Sequence, residues 1–358
     1  MPKPHKAGYP FWNRVPKTGH HKCYTLGMES KKASLIYILK TLEDESDSSH
    51  FLTQQEIIDF VAAKYGLRME RKAVARSLAL LEQAGYDVNK DPKGGYALLS
   101  RTFDESEVSF LIDAIFSSKS ISGSQAKKLC EEISSCLSVH DRKSFDYLYK
   151  SVDVNRTPNK DVFLNIEILS EAIRKKKKIT FAYLRYGEDG KMEKKHDEWR
   201  FHGVSPYYLV NNFGRYYLLS DYEKYNDLTC FRIEFIKDIE ITDEPAVPKE
   251  KVPGFGKGFS VTKYINDHVY IFGGKVVEVE AILHNAGATN ALKDLFGKNA
   301  TIYQETGVTK AKIITDERAF FYWSFQYGEG IEVITPKEMR ERIKETISKM
   351  ASIYSSDK

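Results

Sequence analysis

The chain has 358 residues, more than one hydrophobic core usually supports, so its length predicts two or three domains. Its 42% hydrophobic and 29% charged residues are typical of a globular protein, and a net charge of only +4 excludes a globally basic nucleic-acid-binding protein. Any nucleic-acid site therefore has to be a local patch. Four irregularly spaced cysteines argue against a disulfide framework, and no apolar run is long enough to span a bilayer. We expect a cytoplasmic protein that does not bind membranes.

Residues 1–30 show neither strand nor helix periodicity and are predicted to form a flexible extension. Residues 31–102 predict three helices and then a short hairpin, which is the element order of a winged helix. Thr53 and Glu56 have the spacing of a capping box, in which the two side chains satisfy free backbone N–H groups at a helix start. Gly66 is placed to end the same helix.

The third predicted helix combines an apolar inner face with a basic outer face. Arg71, Lys72 and Arg76 project from the face opposite its apolar residues. On a helix that fits the major groove, arginine reaches guanine edges bidentately and lysine reaches phosphates. Lys90 and Lys93 lie in the loop of the predicted hairpin, where they suit contact with the DNA backbone. We predict that these five residues contact double-stranded DNA.

The same helix leaves an alternative open. Glu70 stands at its DNA-facing end and repels phosphate unless it accepts a hydrogen bond from a cytosine amino group, so it is also a candidate DNA contact. A solvated helix with ordinary surface charges has a similar local sequence. The order of capped helix, basic helix and Gly-Gly hairpin favours DNA binding.

Residues 103–160 are predicted to form a polar, mostly helical linker, and residues 161–245 a second domain rich in strands. An amphipathic helix opens this domain and is predicted to end in the basic run 174–178, whose cations complement the helix dipole. Short strand-like runs separated by tight turns follow, the last of them at 228–241. This succession predicts a small β-barrel.

Polar side chains of the second domain form a candidate ligand site. On one face of a small barrel they supply hydrogen-bond donors and a cation, which suits an anion or a nucleotide. The alternative is that the tyrosines belong to the core and the arginine is an edge-strand charge. The candidates are Tyr183, Arg185, His202, Ser205, Tyr217 and Arg232.

Residues 246–274 are predicted to be a linker, and residues 275–358 a last α+β domain. A helix-start signal at 335–338, with Thr as cap and Pro in the first turn, precedes a final amphipathic helix. The buried face of that helix is predicted to comprise Met339, Ile343, Ile347, Met350 and Tyr354.

No catalytic constellation is visible in the sequence. It lacks a phosphate-binding loop, a nucleophile elbow and a His-Glu-x-x-His pair, and its carboxylates show no pairing that singles out an acid and a base. His20, His21 and Cys23 lack a fourth ligand at any usual spacing, so we do not assign them a metal. We expect no enzyme activity, no metal and no cofactor.

Several stretches resemble the WYL-domain transcriptional regulators. Residues 76–86 and 94–96 resemble the recognition helix and wing of the helix–turn–helix domains in that family. Residues 214–218 are similar to the Trp-Tyr-Leu segment that names the domain, with tyrosine in place of tryptophan, and residues 231–233 to its Phe-Arg-Leu strand. The segment around Trp323 resembles the family's C-terminal WCX extension.

The resemblance covers residues 31–358 and implies a multidomain α+β protein. It implies a winged helix, an Sm-like small barrel as the WYL domain, and a ferredoxin-like WCX domain that forms homodimers. It further implies a pocket for a negatively charged effector, often a nucleotide or a single-stranded nucleic acid. By the resemblance the polar candidates of the second domain other than Arg185 become effector-binding residues, and the expected function is effector-dependent binding of a DNA operator.

One departure from the family bears on the effector. Phe235 stands where the family often has a second arginine, so one pocket cation is lost and a less charged or different ligand is expected. A second functional hypothesis also remains. The tyrosines and an Sm-like barrel would suit an accessory protein that binds single-stranded nucleic acid beside a nucleic-acid-guided defence enzyme.

Overall fold

The computed structural model describes residues 30–143, 156–193, 200–225, 228–256 and 258–355. The extension predicted at 1–30, with His20, His21 and Cys23, thus lies outside these residues except for its last position. The chain divides into two compact units, Met1–Asp113 with Leu129–Val152 and Ala114–Lys128 with Asp153–Lys358. None of the described helices combines the length and apolar character needed to cross a bilayer.

The first unit begins with three helices and a two-stranded antiparallel hairpin, which confirms the predicted element order. Apolar residues from all three helices and both strands share one core, with Ile38, Ile57 and Val74 fully buried. The tip of the hairpin turns tightly, and a Cβ at Gly95 would lie only 2.8 Å from Cβ of Phe51. The elements are α1 (Ser30–Glu45), α2 (Gln54–Tyr65), α3 (Arg71–Gln83), β1 (Val88–Lys90) and β2 (Tyr96–Leu98).

Both ends of α2 are set by the residues that the sequence singled out. The backbone N–H of Glu56 donates to Thr53 Oγ1 at 3.2 Å, and the N–H of Thr53 donates to Glu56 Oε2 at 2.7 Å. Gly66 follows the helix in the left-handed region at φ 69°. The predicted capping box and the predicted helix end are both confirmed, which fixes where the loop before α3 begins.

Three further helices follow, α4 (Glu105–Ser117), α5 (Gly123–Ser134) and α6 (Val139–Lys143). Asp104 and Glu107 form a second capping box at the start of α4, since each backbone N–H donates to the other residue's carboxylate. The boundary between the compact units falls within α4 and again within α5. The described residues of the segment 103–160 are mainly helical.

In the second segment of the second unit, α7 (Val162–Lys175) packs against a five-stranded antiparallel sheet. The strand order is β8-β7-β6-β3-β9, and a separate two-stranded hairpin, β4 with β5, follows β3. The strands are β3 (Lys177–Tyr183), β4 (Arg185–Tyr186), β5 (Met192–Glu193), β6 (Arg200–Asn212), β7 (Arg215–Asp221), β8 (Leu228–Arg232) and β9 (Ile236–Pro245).

Two predictions for this sheet are wrong in detail. The run predicted as one strand at 228–241 is broken by a 3₁₀ turn at Ile233–Phe235. The basic run does not all end the helix, because Lys176 takes the left-handed conformation at φ 52° and Lys177 and Lys178 begin β3. Only the first two cations of that run therefore lie in the last turn of α7.

The C-terminal part of the second unit contains a four-stranded antiparallel sheet in the order β11-β12-β10-β13. Residues of α9 and α10 pack on it, with Phe320 and Trp323 in its core. The elements β11 and α10 were not predicted from the sequence, nor was α8, which lies within the segment 246–274 predicted as a linker. The elements are α8 (Val261–Asp267), β10 (Val276–Leu283), α9 (Ala286–Phe296), β11 (Ala300–Glu305), β12 (Val308–Asp316), α10 (Glu317–Gln326), β13 (Ile331–Thr335) and α11 (Lys337–Ser355).

The predicted buried face of α11 is correct only for its first turns. Met339 is 1% exposed and Ile343 packs on the core, but Ile347 is 53% and Tyr354 is 86% exposed. The helix begins at Lys337, within the predicted start at 335–338. Thr335, which was predicted as the cap, is the last residue of β13. The apolar stripe of α11 thus continues beyond the domain that it packs on.

Candidate functional site

The outer face of α3 is the first candidate site, and it lies in the first compact unit. Arg71, Lys72 and Arg76 are all exposed, whereas Val74 and Leu78 on the opposite face are buried. This placement follows from the helical period, since residues four apart share a face. Ala75 and Ala79 lie on the same exposed face, so its centre carries short side chains between the cations.

The contacts of this face leave its cations open to a partner. Arg71 Nη2 donates to Gln55 Oε1 at 3.3 Å, and Arg76 Nε donates to the carbonyl of Lys72 at 3.3 Å. Glu70 precedes the helix as its N-cap, is exposed, and makes no side-chain capping hydrogen bond. The carboxylate of Glu70 is therefore available to accept from a partner.

Lys90 and Lys93 are both exposed on the β1–β2 hairpin. The ammonium group of Lys90 lies 5.5 Å from the ring centroid of Tyr96, on the neighbouring strand. Arg68, just before α3, is also exposed, and the sequence analysis passed over it because it lies outside the helical pattern. The helix and the hairpin both carry exposed cations, as a DNA-binding surface requires.

The second candidate site is built on an aromatic cluster inside the five-stranded sheet. The rings of Phe181 and Phe231 meet edge to face at 5.0 Å, and Tyr183 meets Phe231 at 5.3 Å. The hydroxyl of Tyr183 accepts a hydrogen bond from the backbone N–H of Arg232 at 3.1 Å. Burial of this hydroxyl raises the pKa of Tyr183 to about 12. Tyr183 thus holds the end of β8 in place as a neutral phenol.

The polar centre of this site is an ion triad formed by Arg215, Arg232 and Glu234. Arg232 donates to Glu234 Oε1 from Nε at 2.9 Å and from Nη2 at 2.6 Å, and Arg215 Nη1 donates to the same oxygen at 2.9 Å. The Arg232 guanidinium also lies over the ring of Phe235, 4.3 Å from its centroid. Tyr217 pairs with Arg232 across β7 and β8.

The structure does not bring all six sequence candidates together. Tyr183, Tyr217 and Arg232 are neighbours, but His202 is exposed on β6 and Arg185 is exposed on β4. Ser205 is fully buried, and its Oγ accepts from the backbone N–H of Val247 at 3.1 Å. Ser205 pairs with Asp221, four residues along β7 from Tyr217, which is about 13 Å along an extended strand.

Sequence reasoning missed Arg215 and Glu234. Arg215 was part of the segment that resembles the Trp-Tyr-Leu motif, yet nothing in the sequence told which face of its strand it takes. Glu234 had a usable signal, because it is the lone acidic residue within the apolar run 228–236, and an acid in such a run needs a cation when it is buried.

A cavity of about 610 Å³ lies in the first unit. Arg101 reaches into this region, but its guanidinium donates to the backbone carbonyls of Glu43 and Ser46, so its hydrogen-bonding capacity is largely used by the fold. Over the described residues, no group of three or more His, Cys, Asp or Glu is arranged to hold a metal ion. The lining residues are Glu43, Asp44, Ala84, Gly85, Tyr86, Ser100, Arg101, Thr102, Ser135 and Cys136.

Comparison with protein families assigns the sheet that holds the ion triad, because residues 165–241 match the model of the WYL domain. The chain contains a WYL domain. The matched residues run from the middle of α7 to the middle of β9 and include Tyr183, Arg215, Arg232 and Glu234. The family resemblance of this segment is therefore confirmed.

A curated relative of this WYL-domain protein is the "uncharacterized HTH-type transcriptional regulator YobV" of Bacillus subtilis (strain 168), 25% identical over 153 residues. The match covers 42% of this chain and 46% of YobV, so the chain spans less than half of its length.

Two solved structures match the chain with low TM-scores and low sequence identity. Proteasome accessory factor B/C of Arthrobacter aurescens has a TM-score of 0.29 at 14% identity, covering 99% of this chain and 52% of the other. A CRISPR Cas-related protein has a TM-score of 0.36 at 13% identity, covering 93% and 88%.

Proposed function

We propose that this protein is a DNA-binding transcriptional regulator whose WYL domain senses an anionic effector and modulates operator binding by a homodimer. The carrying observation is that one chain combines an exposed basic helix face with a WYL domain that holds a paired arginine cluster. The name of the Bacillus relative, a regulator of helix–turn–helix type, supports the same reading. The proposed place of action is the cytoplasm, and the proposal includes no enzymatic step.

The proposed domains follow the element order. Residues 31–102 are proposed to form a winged helix, supported by α1–α3 and the β1–β2 hairpin. Residues 161–245 are proposed to be an Sm-like barrel, and residues 275–358 a ferredoxin-like dimerisation domain, supported by two helices packed on a four-stranded antiparallel sheet. Residues 103–160 and 246–274 connect them.

In the proposed complex α3 lies in the major groove. Arg71 and Arg76 are five residues apart, about 1.4 turns and about 7.5 Å along the helix, a spacing that lets both guanidinium groups reach neighbouring base pairs, and Lys72 points to a phosphate. Lys90 and Lys93 contact the backbone from the hairpin. Glu70 is left to accept from a cytosine amino group.

The test is an electrophoretic shift assay on the DNA upstream of the protein's own gene at fixed salt. Replacing Arg71→Ala and Arg76→Ala together should weaken specific binding at least tenfold, because each guanine contact contributes about 1–3 kcal/mol. The matched control is Lys40→Ala with Arg174→Ala, which removes the same charge from two exposed positions outside α3. Equal affinity of the α3 variant and the wild type would contradict this role for α3.

The homodimer is supported by the exposed end of α11. Ile347, Met350, Ile353 and Tyr354 are 43–86% exposed on one helix. An apolar stripe that leaves its own domain is typical of an interface, since monomers rarely expose such patches. A second copy of the same helix presents the same stripe, which is what a two-fold interface needs.

A second function, binding of single-stranded nucleic acid, is supported by one observation. Tyr186 is 57% exposed and stands edge to face with Phe235 at 5.8 Å, next to Arg232. Bases stack on such rings. Binding of single strands in preference to duplex, unchanged in the α3 variant, would select this second function. The protein would then be an accessory to a nucleic-acid-guided defence enzyme.

A further inference from the structure

The ion triad contains two cations and one anion, and the cations are more exposed to solvent than the anion. The side chains of Arg215 and Arg232 are 30% and 29% exposed, while that of Glu234 is 1% exposed. Glu234 therefore lies behind the two guanidinium groups and holds them from the protein side. Each guanidinium has five N–H donors, and the bonds to Glu234 use one on Arg215 and two on Arg232. The remaining donors are the ones that a bound anion would meet.

Arg215 replaces the cation that the sequence comparison found missing at Phe235. It reaches Glu234 from β7, while Arg232 reaches it from the end of β8. Phe235 itself supplies a ring under the Arg232 guanidinium, which fixes the plane of that group. The site is therefore a two-arginine site, although the local sequence around residue 232 shows one.

The two oxygens of Glu234 differ in a way that matters for charge. Oε1 accepts all three arginine hydrogen bonds, whereas Oε2 is buried without any hydrogen-bond partner. Because Oε2 accepts no hydrogen bond, it does not hold any donor group in position. What Glu234 adds beyond one acceptor is a negative charge directly behind the site.

We propose that Glu234 is an internal counter-ion that restricts the Arg215–Arg232 site to oxyanions with a single negative charge. The inference rests on the proposed anionic effector of the WYL domain and adds its charge. Two arginines and one carboxylate leave a net charge of +1, so a singly charged group neutralises the site. The second charge of a phosphate monoester gains less from this site, because the carboxylate behind the arginines lowers the positive potential there, while removing a dianion from water costs more than removing a monoanion.

A phosphodiester is the singly charged group that fits this geometry. Its two non-bridging oxygens match two guanidinium groups, and it carries one charge at every physiological pH. The exposed ring of Tyr186 beside Phe235 offers a surface for an attached base. Such a diester occurs both in a nucleic-acid strand and in a cyclic nucleotide.

The test compares two ligands that differ by one methyl group and one charge. Thymidine 5′-(methyl phosphate) is a singly charged diester, and thymidine 5′-phosphate is doubly charged at pH 8, two units above its second pKa of about 6. Calorimetric titration of the full chain at fixed ionic strength should show at least about tenfold tighter binding of the diester. Hexathymidylate and thymidine 3′,5′-cyclic phosphate, titrated alongside, distinguish a strand from a free nucleotide as the source.

The decisive variant is Glu234→Gln. Glutamine keeps an acceptor at the Oε1 position and places its amide nitrogen where Oε2 makes no hydrogen bond, so the shape of the site is preserved while the charge is lost. The preference should disappear or reverse, with the doubly charged ligand gaining at least about tenfold. Glu240→Gln is the matched control, because Glu240 pairs with Arg200 at 2.9 Å on the same sheet but is 68% exposed.

Three outcomes overturn the inference: equal binding of the two ligands to the wild type, an unchanged preference in Glu234→Gln, or no binding of either ligand at millimolar concentration. If Glu234→Gln fails to fold, Arg215→Gln provides the test, since it leaves Glu234 paired with Arg232 and should weaken diester binding at least about tenfold. Operator binding measured on the same samples separates the two proposals. A wild type that shifts operator DNA but shows no charge preference loses this inference and keeps the proposed function.

Discussion

Gly214, a single residue at the turn between β6 and β7, holds that turn against the end of α4. Its φ of 70° lies in the left-handed region, and a Cβ there would lie 3.0 Å from the carbonyl oxygen of Ser117. We expect Gly214→Ala to destabilise the protein by about 2–4 kcal/mol, the sum of a left-handed alanine and a forced contact. Urea unfolding followed by circular dichroism measures this loss.

Gly190 is the matched control for that prediction. Its φ of 73° is nearly the same, but nothing lies within 4 Å of an added Cβ. Gly190→Ala should therefore cost only the backbone term of about 1–2 kcal/mol. Equal losses in the two variants would show that the contact with Ser117 is unimportant.

Contacts between residues close in the sequence were predictable, whereas contacts between residues distant in the sequence were not. The Thr53–Glu56 capping box depends on a spacing of three residues, which is visible in the sequence itself. Glu234 is bound by Arg215, which lies 19 positions earlier. That contact forms only when β7 and the 3₁₀ turn at 233–235 have folded against each other. Of the residues that meet at this candidate site, the sequence singled out Tyr183, Tyr217 and Arg232 but not Arg215 and Glu234, the other two members of the ion triad.

Helices and strands show the same division at a larger scale. The face of α3 was predicted correctly because its apolar residues repeat with the helical period and all pack on one core. The run 228–241 was predicted as one element because β-branched and aromatic residues recur along its whole length, and periodicity alone does not reveal a 3₁₀ turn. In β3, Ile179, Thr180, Phe181 and Ala182 are all buried, so this strand does not alternate between buried and exposed residues.

The element that most directly tests the homodimer is α11. We expect Ile347→Glu with Ile353→Glu to convert a dimer into a monomer, because each change places a charge on the apolar stripe that two copies would share. Light scattering coupled to gel filtration measures the mass. Lys344→Glu is the control, since Lys344 is 75% exposed and pairs with Glu341 at 3.7 Å. A wild type that elutes as a monomer at micromolar concentration would contradict the homodimer.

For the molecule as a whole, the proposed function requires that the WYL domain and the basic helix influence each other. The chain offers a covalent route, because α4 begins in the first compact unit and ends in the second. At that end the carbonyl of Gly214 accepts from the backbone N–H of Lys119, and Arg156 donates to the carbonyls of Ser118 and Phe116. Arg215 of the ion triad is the next residue after Gly214. A ligand that moves Arg215 therefore acts one residue from the anchor of α4.

This arrangement predicts that Arg232→Ala separates effector response from operator binding. In the wild type, a saturating phosphodiester such as hexathymidylate, whose links each carry one negative charge, should change the operator Kd by about fivefold or more, the usual size of a coupling between sites. In Arg232→Ala the operator Kd without ligand should stay within about twofold of the wild type, because Arg232 lies in the other compact unit from α3. The ligand should then have no effect.

Arg200→Ala, which removes a cation of the same sheet that pairs with exposed Glu240, should respond like the wild type. An Arg232→Ala protein that still responds would place the effector elsewhere, and one that loses operator binding without ligand would show that Arg232 supports the DNA-binding conformation itself.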